Sequence, residues 1–171
     1  LAELRVDITR GNIEPLPIAI PEFFGVDAAS SDYGSRVAKV ISADLERSGL
    51  FRPIDSRAFI QSTATLRLQP RFGDWRLINT QALVNGSVAI RQDGQVKVKF
   101  HLWDVFAEQQ MTGLELSTQP ENWRRIAHII ADAIYERITG EKGYFDTRVV
   151  YVPERGPANR REKRLAIMDQ D

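Results

Sequence analysis

The stretch WRRIAHIIADAIYERITGEKGYFDTRVVYV, which spans Trp123–Val152, contains the strongest helix pattern in the chain and then a strand pattern. In its first half, apolar side chains recur at helical spacing on one face, and most of the charged side chains lie on the other. The predicted core face comprises Ile126, Ile129, Ile130, Ala133, Ile134 and Ile138. Such a helix must lie on a sheet or on another helix to bury that face.

The ends of this helix also mark the predicted end of a domain. Asn122, or Thr118 one turn earlier, is the expected N-cap, and Gly140 is a natural residue just past the C-terminus. Beyond it the pattern changes to the two-residue alternation of a strand. We therefore predict one complete α/β domain over residues 1–143 and the start of a second domain over residues 144–171.

Composition sets broad limits on the class of protein. The 171 residues are 43% apolar and 27% charged, which suits one globular domain plus a fragment. The formal net charge is zero, so there is no global attraction to nucleic acid or to an acidic membrane surface. The absence of cysteine excludes thiol catalysis, disulfides and thiolate metal sites. No apolar run approaches the ~20 residues that span a bilayer, so no direct membrane insertion is expected.

The N-terminal residues alternate in the manner of an edge strand. Leu4, Val6 and Ile8 are apolar, and Arg5 and Asp7 stand between them. A strand this near the end of the chain can dock on its own sheet or extend to a partner, and the residues alone leave both possibilities open.

The middle of the chain predicts a meander. Val84–Ile90 and Val96–Trp103 alternate around the hairpin turn pair Asp93-Gly94. Gln110–Thr118 continues the alternation as a third strand. The other predicted elements are a strand at Pro17–Pro21, a helix near Tyr33–Ser48 capped by Ser31 or Asp32, an exposed loop or ragged strand at Gln61–Gly73 and a helical turn at Asp74–Asn79. The fold class is therefore α/β of the α+β kind, a mixed sheet of about five strands with two main helices packed on one face.

Alternation also assigns the two faces of the second hairpin strand. The residues that share the core face are Val96, Val98, Phe100 and Leu102, and those on the polar face are Lys97, Lys99, His101 and Trp103. Trp75 and Trp123 are interpreted as core or helix-start residues. Trp103, on the wet side, is the better aromatic candidate for contact with a partner.

No catalytic motif occurs in the chain: there is no nucleophile elbow, HExxH, P-loop or dinucleotide-binding pattern. His101 and His128 lack companions at metal-ligand spacing, and we interpret each as a surface or satisfied histidine. Asp44 and Glu46 are interpreted as a carboxylate pair on a solvated helix face. The sequence therefore predicts no enzyme, no metal site and no cofactor.

The end of the chain predicts an orphan hairpin. Val149–Val152 and Leu165–Met168 are strand-like, and the basic stretch Pro153–Arg164 joins them. We interpret that stretch as a solvated loop rather than a phosphate site. Two strands alone are marginal in water, so the hairpin is expected to belong to a larger sheet.

Five stretches, taken together, resemble the N-terminal domain of the TolB family, periplasmic components of the Tol-Pal cell-envelope system. They are Val6–Gly11, Pro17–Pro21, Val40–Phe51, Ala82–Gly86 and Ile138–Val152. The resemblance covers nearly the whole chain, and Val40–Phe51 and Ile138–Val152 are its most diagnostic parts.

The resemblance implies a fold like that of anticodon-binding domains, followed by a β-propeller. Thr147–Val152 and Arg164–Asp169 look like the first propeller strands, so the C-terminal hairpin would come from a truncated propeller. In the family the propeller binds the lipoprotein Pal, and a chain ending here is expected to lack that activity. The family is periplasmic, so the chain is expected to be exported, with its signal peptide already removed.

The resemblance also implies a partner for the N-terminal residues. In the family the extreme N-terminus binds the C-terminal domain of the inner-membrane-anchored TolA, and this carries over to about Leu4–Gly11. The terminus is expected to be either docked or free. The residues that would make the contact are Leu4, Arg5, Val6, Asp7 and Ile8.

Together with the absence of a catalytic motif, the resemblance implies a non-enzymatic periplasmic adaptor that supports outer-membrane integrity and constriction during cell division. TolA and Pal are its expected partners, and outer-membrane proteins are further candidates. The alternative is a small nucleic-acid- or ligand-binding module of anticodon-binding-like fold, for which Lys97, Lys99 and Trp103 would have to form a basic, stacking face.

Overall fold

The computed structural model of the chain describes residues 3–9, 11–151, 154–155, 162–163 and 166–169. Its strands are β1 Leu16–Ala19, β2 Phe24–Gly25, β3 Phe51–Pro53, β4 Ala82–Ile90, β5 Val96–Asp104, β6 Gln109–Thr118, β7 Arg148–Tyr151, β8 Glu154–Arg155, β9 Glu162–Lys163 and β10 Ala166–Asp169. Its α-helices are α1 Ala28–Arg47, α2 Thr63–Leu66, α3 Phe72–Leu77 and α4 Trp123–Thr139, and 3₁₀ turns occur at Ser56–Ala58 and Pro120–Asn122.

The central sheet is mixed and has six strands. Its order is β3-β1-β4-β5-β6, with the short β2 also pairing with β4. β1 runs parallel to β3 and β4, whereas β4, β5 and β6 form the antiparallel meander that the sequence predicted. The predicted fold class is therefore confirmed, and β2 accounts for the strand beyond the expected five.

The two long helices cover one face of this sheet and form the main core with it. α1 and α4 pack on each other and on the meander. The predicted core face of β5, comprising Val96, Val98, Phe100 and Leu102, is fully buried. On α4, Ile126, Ile130, Ile134 and Ile138 are buried, and Ile129 and Ala133 are half-buried. The burial of these apolar faces is the main stabilising contribution to the domain.

The helix ends differ in how well the sequence predicted them. Gly140 takes the left-handed conformation just past α4, with φ of 77°, as expected. Asn122 stands at the other end, but its side chain makes no capping bond because the helix continues from a 3₁₀ turn. The predicted cap of α1 was wrong. Asp27 is the N-cap and accepts a hydrogen bond from the Ser30 N–H at 2.7 Å.

Two short helices, α2 and α3, cover part of the opposite face of the sheet. Trp75 of α3 is fully buried there with Leu66 of α2, as part of a second, smaller core. Gln61 organises this region: its Oε1 accepts from Trp75 Nε1 and from Arg71 N, both at 2.9 Å, and its Nε2 donates to the Gln69 carbonyl at 2.8 Å. The expected loop at 61–73 is therefore an ordered segment held by one buried amide.

The Trp103 side chain packs against this smaller core. Its indole Nε1 donates to Asn85 Oδ1 at 2.8 Å, and its ring meets Phe72 edge-on at 5.7 Å. Trp103 is half-buried, so this face is only partly wet at that residue, and its candidacy for contact with a partner stays a prediction. The alternation placed it correctly on the second face, but it could not show that α3 covers that face.

The C-terminal hairpin forms as a separate pair of ladders. β7 pairs antiparallel with β10, and β8 pairs with β9. Of the predicted basic loop, Arg160, Arg161 and Arg164 lie outside the described residues. Before β7, Phe145 is buried in the main core. The boundary between residues 143 and 144 stays a prediction.

We predict that Gly34→Ala destabilises the domain. A Cβ atom on Gly34 would lie 2.1 Å from the Phe23 carbonyl oxygen, so the backbone of α1 would have to move. The free energy of unfolding in urea should fall by about 1–3 kcal/mol.

Gly73→Ala, in α3, is the matched control. Nothing lies within 4 Å of its added Cβ, so stability should be unchanged or rise by up to ~1 kcal/mol. Equal unfolding midpoints for the two variants would contradict the close contact at Gly34.

Candidate functional site

The N-terminal segment, defined here as Glu3–Thr9, lies across the C-terminal end of α4. Val6 is buried, and its backbone N–H donates to the Ile138 carbonyl at 3.0 Å. The last carbonyls of a helix have no partner within the helix, so this end of α4 offers a ready acceptor. The segment is therefore not an edge strand of the sheet, and that prediction was wrong.

The predicted alternation of the segment is nevertheless real. Leu4 and Ile8 are half-buried and pack with Val6 against the main core, whereas Arg5 and Asp7 are exposed. The structure thus brings the three apolar site residues together on one surface and leaves the two polar ones in solvent.

Polar contacts hold the segment at its N-terminal end, at Glu3 and Leu4. The Leu4 N–H donates to Asp104 Oδ2 at 3.3 Å. Arg137 of α4 pairs with Glu3, and its guanidinium holds the pKa of that carboxyl below its usual range. The same Arg137 donates from Nε to the Met111 carbonyl of β6 at 3.1 Å. One side chain of α4 therefore ties together the segment and the start of β6.

Two open clefts flank the segment. One, of about 470 Å³, lies between the segment, Thr112 of β6 and Ala133 and Arg137 of α4. The other, of about 570 Å³, lies between the segment and the residues that lead into β1. Because solvent reaches both sides, the segment is attached along one line of contacts.

A second polar feature lies between the two long helices. His128 of α4 and Asp44 of α1 are both buried, and Nδ1 of the histidine lies 2.6 Å from Oδ2 of the aspartate. Arg47 pairs with the other carboxylate oxygen. The interpretation of His128 as a satisfied histidine is confirmed. The placing of Asp44 on a solvated face was wrong, whereas Glu46 is exposed as expected.

The sequence did contain a signal for this pair. Asp44 follows Ile41 by three residues and precedes Leu45, so helical spacing puts it on the apolar face of α1. His128 likewise lies between Ala127 and Ile130 on the core side of α4. A titratable residue on each of two facing apolar stripes is the pattern expected of a buried pair, because a buried charge needs a partner.

Among the described residues, no group of three or more histidine, aspartate or glutamate side chains could hold a metal ion. His101 is half-buried, and burial lowers its pKa. None of the described helices is long and apolar enough to cross a membrane.

Comparisons with known proteins agree on one family. Residues 4–111 match the family model described as the TolB amino-terminal domain, and the match begins inside the N-terminal segment. The chain is 59% identical over 170 residues to the Tol-Pal system protein TolB of Paramagnetospirillum magneticum. The aligned region covers 99% of this chain and 38% of that protein.

A solved structure gives the same result for the fold. The crystal structure of TolB from Acinetobacter baumannii superposes with a TM-score of 0.69 at 25% identity, over 98% of this chain and 39% of that one. The chain thus spans about two fifths of the length of either relative.

We predict that Asp44→Ala strongly destabilises the domain. It leaves His128 buried between α1 and α4 without its carboxylate partner, and breaking a buried pair on one side costs about 3–5 kcal/mol. Chemical unfolding followed by tryptophan fluorescence measures the change.

Glu46→Ala, two residues along the same helix, is the control. Its side chain is exposed, so the unfolding free energy should change by no more than about 0.5 kcal/mol. A similar loss in both variants would show that the Asp44 contact does not tie the helices.

Proposed function

This chain belongs to the TolB family, and we propose that it works as a non-enzymatic, protein-binding adaptor of the Tol-Pal envelope system. Its binding element is the N-terminal segment, through the side chains of Leu4, Arg5, Val6, Asp7 and Ile8. Its partner there is the C-terminal domain of TolA, as the family resemblance implies.

The observation that carries the proposal is how lightly the segment is docked. Its anchors are the buried Val6, the half-buried Leu4 and Ile8, one backbone bond to Ile138, and polar contacts of Glu3 and of the Leu4 N–H with Arg137 and Asp104. Burying a valine contributes about 1.5–3 kcal/mol. A hydrogen bond contributes about 0.5–1.5 kcal/mol. Release of Val6 and its backbone bond therefore costs only a few kcal/mol. The half-buried Leu4 and Ile8 each add less than a fully buried side chain would, and contacts with a partner can offset the total.

The released segment has the pattern of an added strand. Strand addition takes its affinity from backbone hydrogen bonds and its register from alternating side chains. Leu4, Val6 and Ile8 would then enter the partner's apolar surface, and Arg5 and Asp7 would stay at its polar rim. The same apolar residues serve the docked state, so docking and partner binding compete for them.

The remaining parts of the proposed role depend on regions that the longer relatives have and that lie beyond the residues described here. Pal would bind through the propeller, of which the β7–β10 hairpin is proposed to be the start. The location would be the periplasm, and the role would be outer-membrane integrity and constriction during division. Outer-membrane proteins are further candidate partners.

The residues on which the alternative of a nucleic-acid-binding module depends have partners within the domain. Trp103 lies against Phe72 and bonds to Asn85, so its ring is not free to stack on a base. Lys97 pairs with Glu115 at 2.9 Å, and the same carboxylate offsets part of the charge of the exposed Lys99, which weakens the positive face that such binding requires.

We predict that deleting residues 1–8 abolishes binding of the TolA C-terminal domain and leaves a cooperatively folded domain. The deletion removes one buried core side chain, Val6, and none of the residues of α1, α4 or the sheet. Calorimetric titration of both proteins with the TolA domain, and with Pal alongside, measures the binding. Unchanged TolA binding, or the loss of cooperative melting, would count against the proposal.

Arg137→Met provides a control that leaves the segment's own sequence intact. It removes the contact with Glu3 and the bond to Met111, so the segment docks less firmly. TolA binding should then be as tight as in the parent chain or tighter. Weaker binding in this variant would mean that the docked form is the one that binds.

A further inference from the structure

The meander ends in a strand with an open edge. Among the described residues, β6 pairs only with β5. The Arg91 N–H donates to the Gln95 carbonyl at 2.8 Å where the β4–β5 hairpin turns. Hydrogen-bonded and non-bonded pairs alternate along antiparallel strands, and Gln95 belongs to a bonded pair. Lys97, two residues further along, therefore also bonds to β4, and the backbone groups of Val98 face β6.

The register of β5 with β6 carries this alternation to the edge. Leu114 and Leu116 lie opposite β5 residues whose backbone groups face β6, so these two leucines bond to β5. The intervening residues Gly113, Glu115 and Ser117 therefore point their N–H and C=O groups outward. Within the described ranges, no residue bonds to these outward groups.

The rest of the sheet shows how such edges are usually closed. The opposite edge strand, β3, is only three residues long and ends in Pro53, which has no N–H to offer. At the start of β6, Arg137 donates a hydrogen bond to the Met111 carbonyl, next to a register shift between β5 and β6. After Met111, the one charged side chain of the strand is Glu115, and Lys97 already pairs with it. The stretch 113–117 therefore lacks the common protections of an exposed edge.

The side chains of β6 define what kind of strand fits beside it. Leu114 and Leu116 are on the face that packs toward α4, and Leu114 remains 41% exposed there. Glu115 and Ser117 are on the other face and are exposed. A neighbouring strand would meet apolar surface on one side and polar surface on the other, so its own side chains should alternate in the same way.

We propose that residues 113–117 of β6 form a second protein-binding surface, which takes an extended, alternately apolar and polar segment of a partner protein as an added strand. This surface is separate from the N-terminal segment, and the inference does not depend on the proposed role of that segment. Three outward residues supply both donors and acceptors, which is the arrangement that strand addition uses.

A direct test uses the intact chain and a synthetic peptide, VKVKFHLWD, which is the sequence of β5. The peptide alternates apolar with mostly basic side chains, and β5 is the strand that β6 already pairs with on its inner side. In a ¹⁵N-resolved NMR titration, the amide signals of Gly113, Glu115 and Ser117 should shift and saturate. A peptide of the same composition in an order without alternation should leave them unchanged. Equal response to both peptides, or to neither, would overturn the proposal.

Paired variants separate backbone pairing from side-chain effects. Glu115→Pro removes an outward N–H and leaves the bonds to β5 in place, whereas Glu115→Ala removes the same carboxylate and keeps the N–H. Binding of the peptide should weaken by about three- to tenfold in the proline variant relative to the alanine variant, from the loss of one backbone hydrogen bond. Ser117→Pro with Ser117→Ala repeats the comparison if Glu115→Pro does not fold. Equal affinity for the peptide in the proline and alanine variants of a pair would contradict the proposal.

Hydrogen exchange in the intact, unliganded chain distinguishes the other possible occupants. Fast exchange at Gly113, Glu115 and Ser117 beside slow exchange at Leu114 and Leu116 is the expected pattern. Slow exchange at all five at high dilution would show that the protein's own chain covers the edge. Concentration-dependent association that Glu115→Pro abolishes would show that a second copy occupies it. Either result overturns the proposal of a partner segment.

Discussion

The packing of α4 on the sheet and on α1 is the interaction on which the rest of the structure depends. Its buried face closes the main core, and His128 ties it to Asp44 of α1. Its C-terminal half also holds the segments at both ends of the helix-and-sheet core: Ile138 accepts from the N-terminal segment, and the Asp132 carboxylate accepts from the Phe145 N–H at 2.7 Å. Any shift of α4 would therefore move the attachment points of both ends together.

How well the sequence predicted each element depends on whether its pattern was complete. The meander and α4 have uninterrupted alternation or helical spacing, and both were found nearly to the residue. The first turn of α1 contains only small residues around Ser30, which give no apolar period, so its start was placed too late. Asp44 was misplaced because residue type was given more weight than its position between Ile41 and Leu45.

The N-terminal segment shows a different limit. Its alternation correctly predicted which side chains face the core, but periodicity describes the segment and not the group that accepts its N–H bonds. A sheet edge and a helix C-terminus both present unpaired carbonyls, and the same five residues suit either. The core-facing side chains of the segment could therefore be named from the sequence, whereas its docking on Ile138 could not.

The charge balance of the chain limits how far electrostatics can contribute to the selection of a partner. With 23 basic and 23 acidic residues, long-range attraction cannot select a partner. Many of the ion pairs are exposed, such as Arg36 with Asp32 and Arg57 with Asp55, and such pairs contribute little. Selectivity must then come from short-range features: the register of an alternating strand and the apolar side chains on one side of it. The N-terminal segment and the outer edge of β6 both have these features, and we propose the first as a strand that is donated and the second as an edge that receives one.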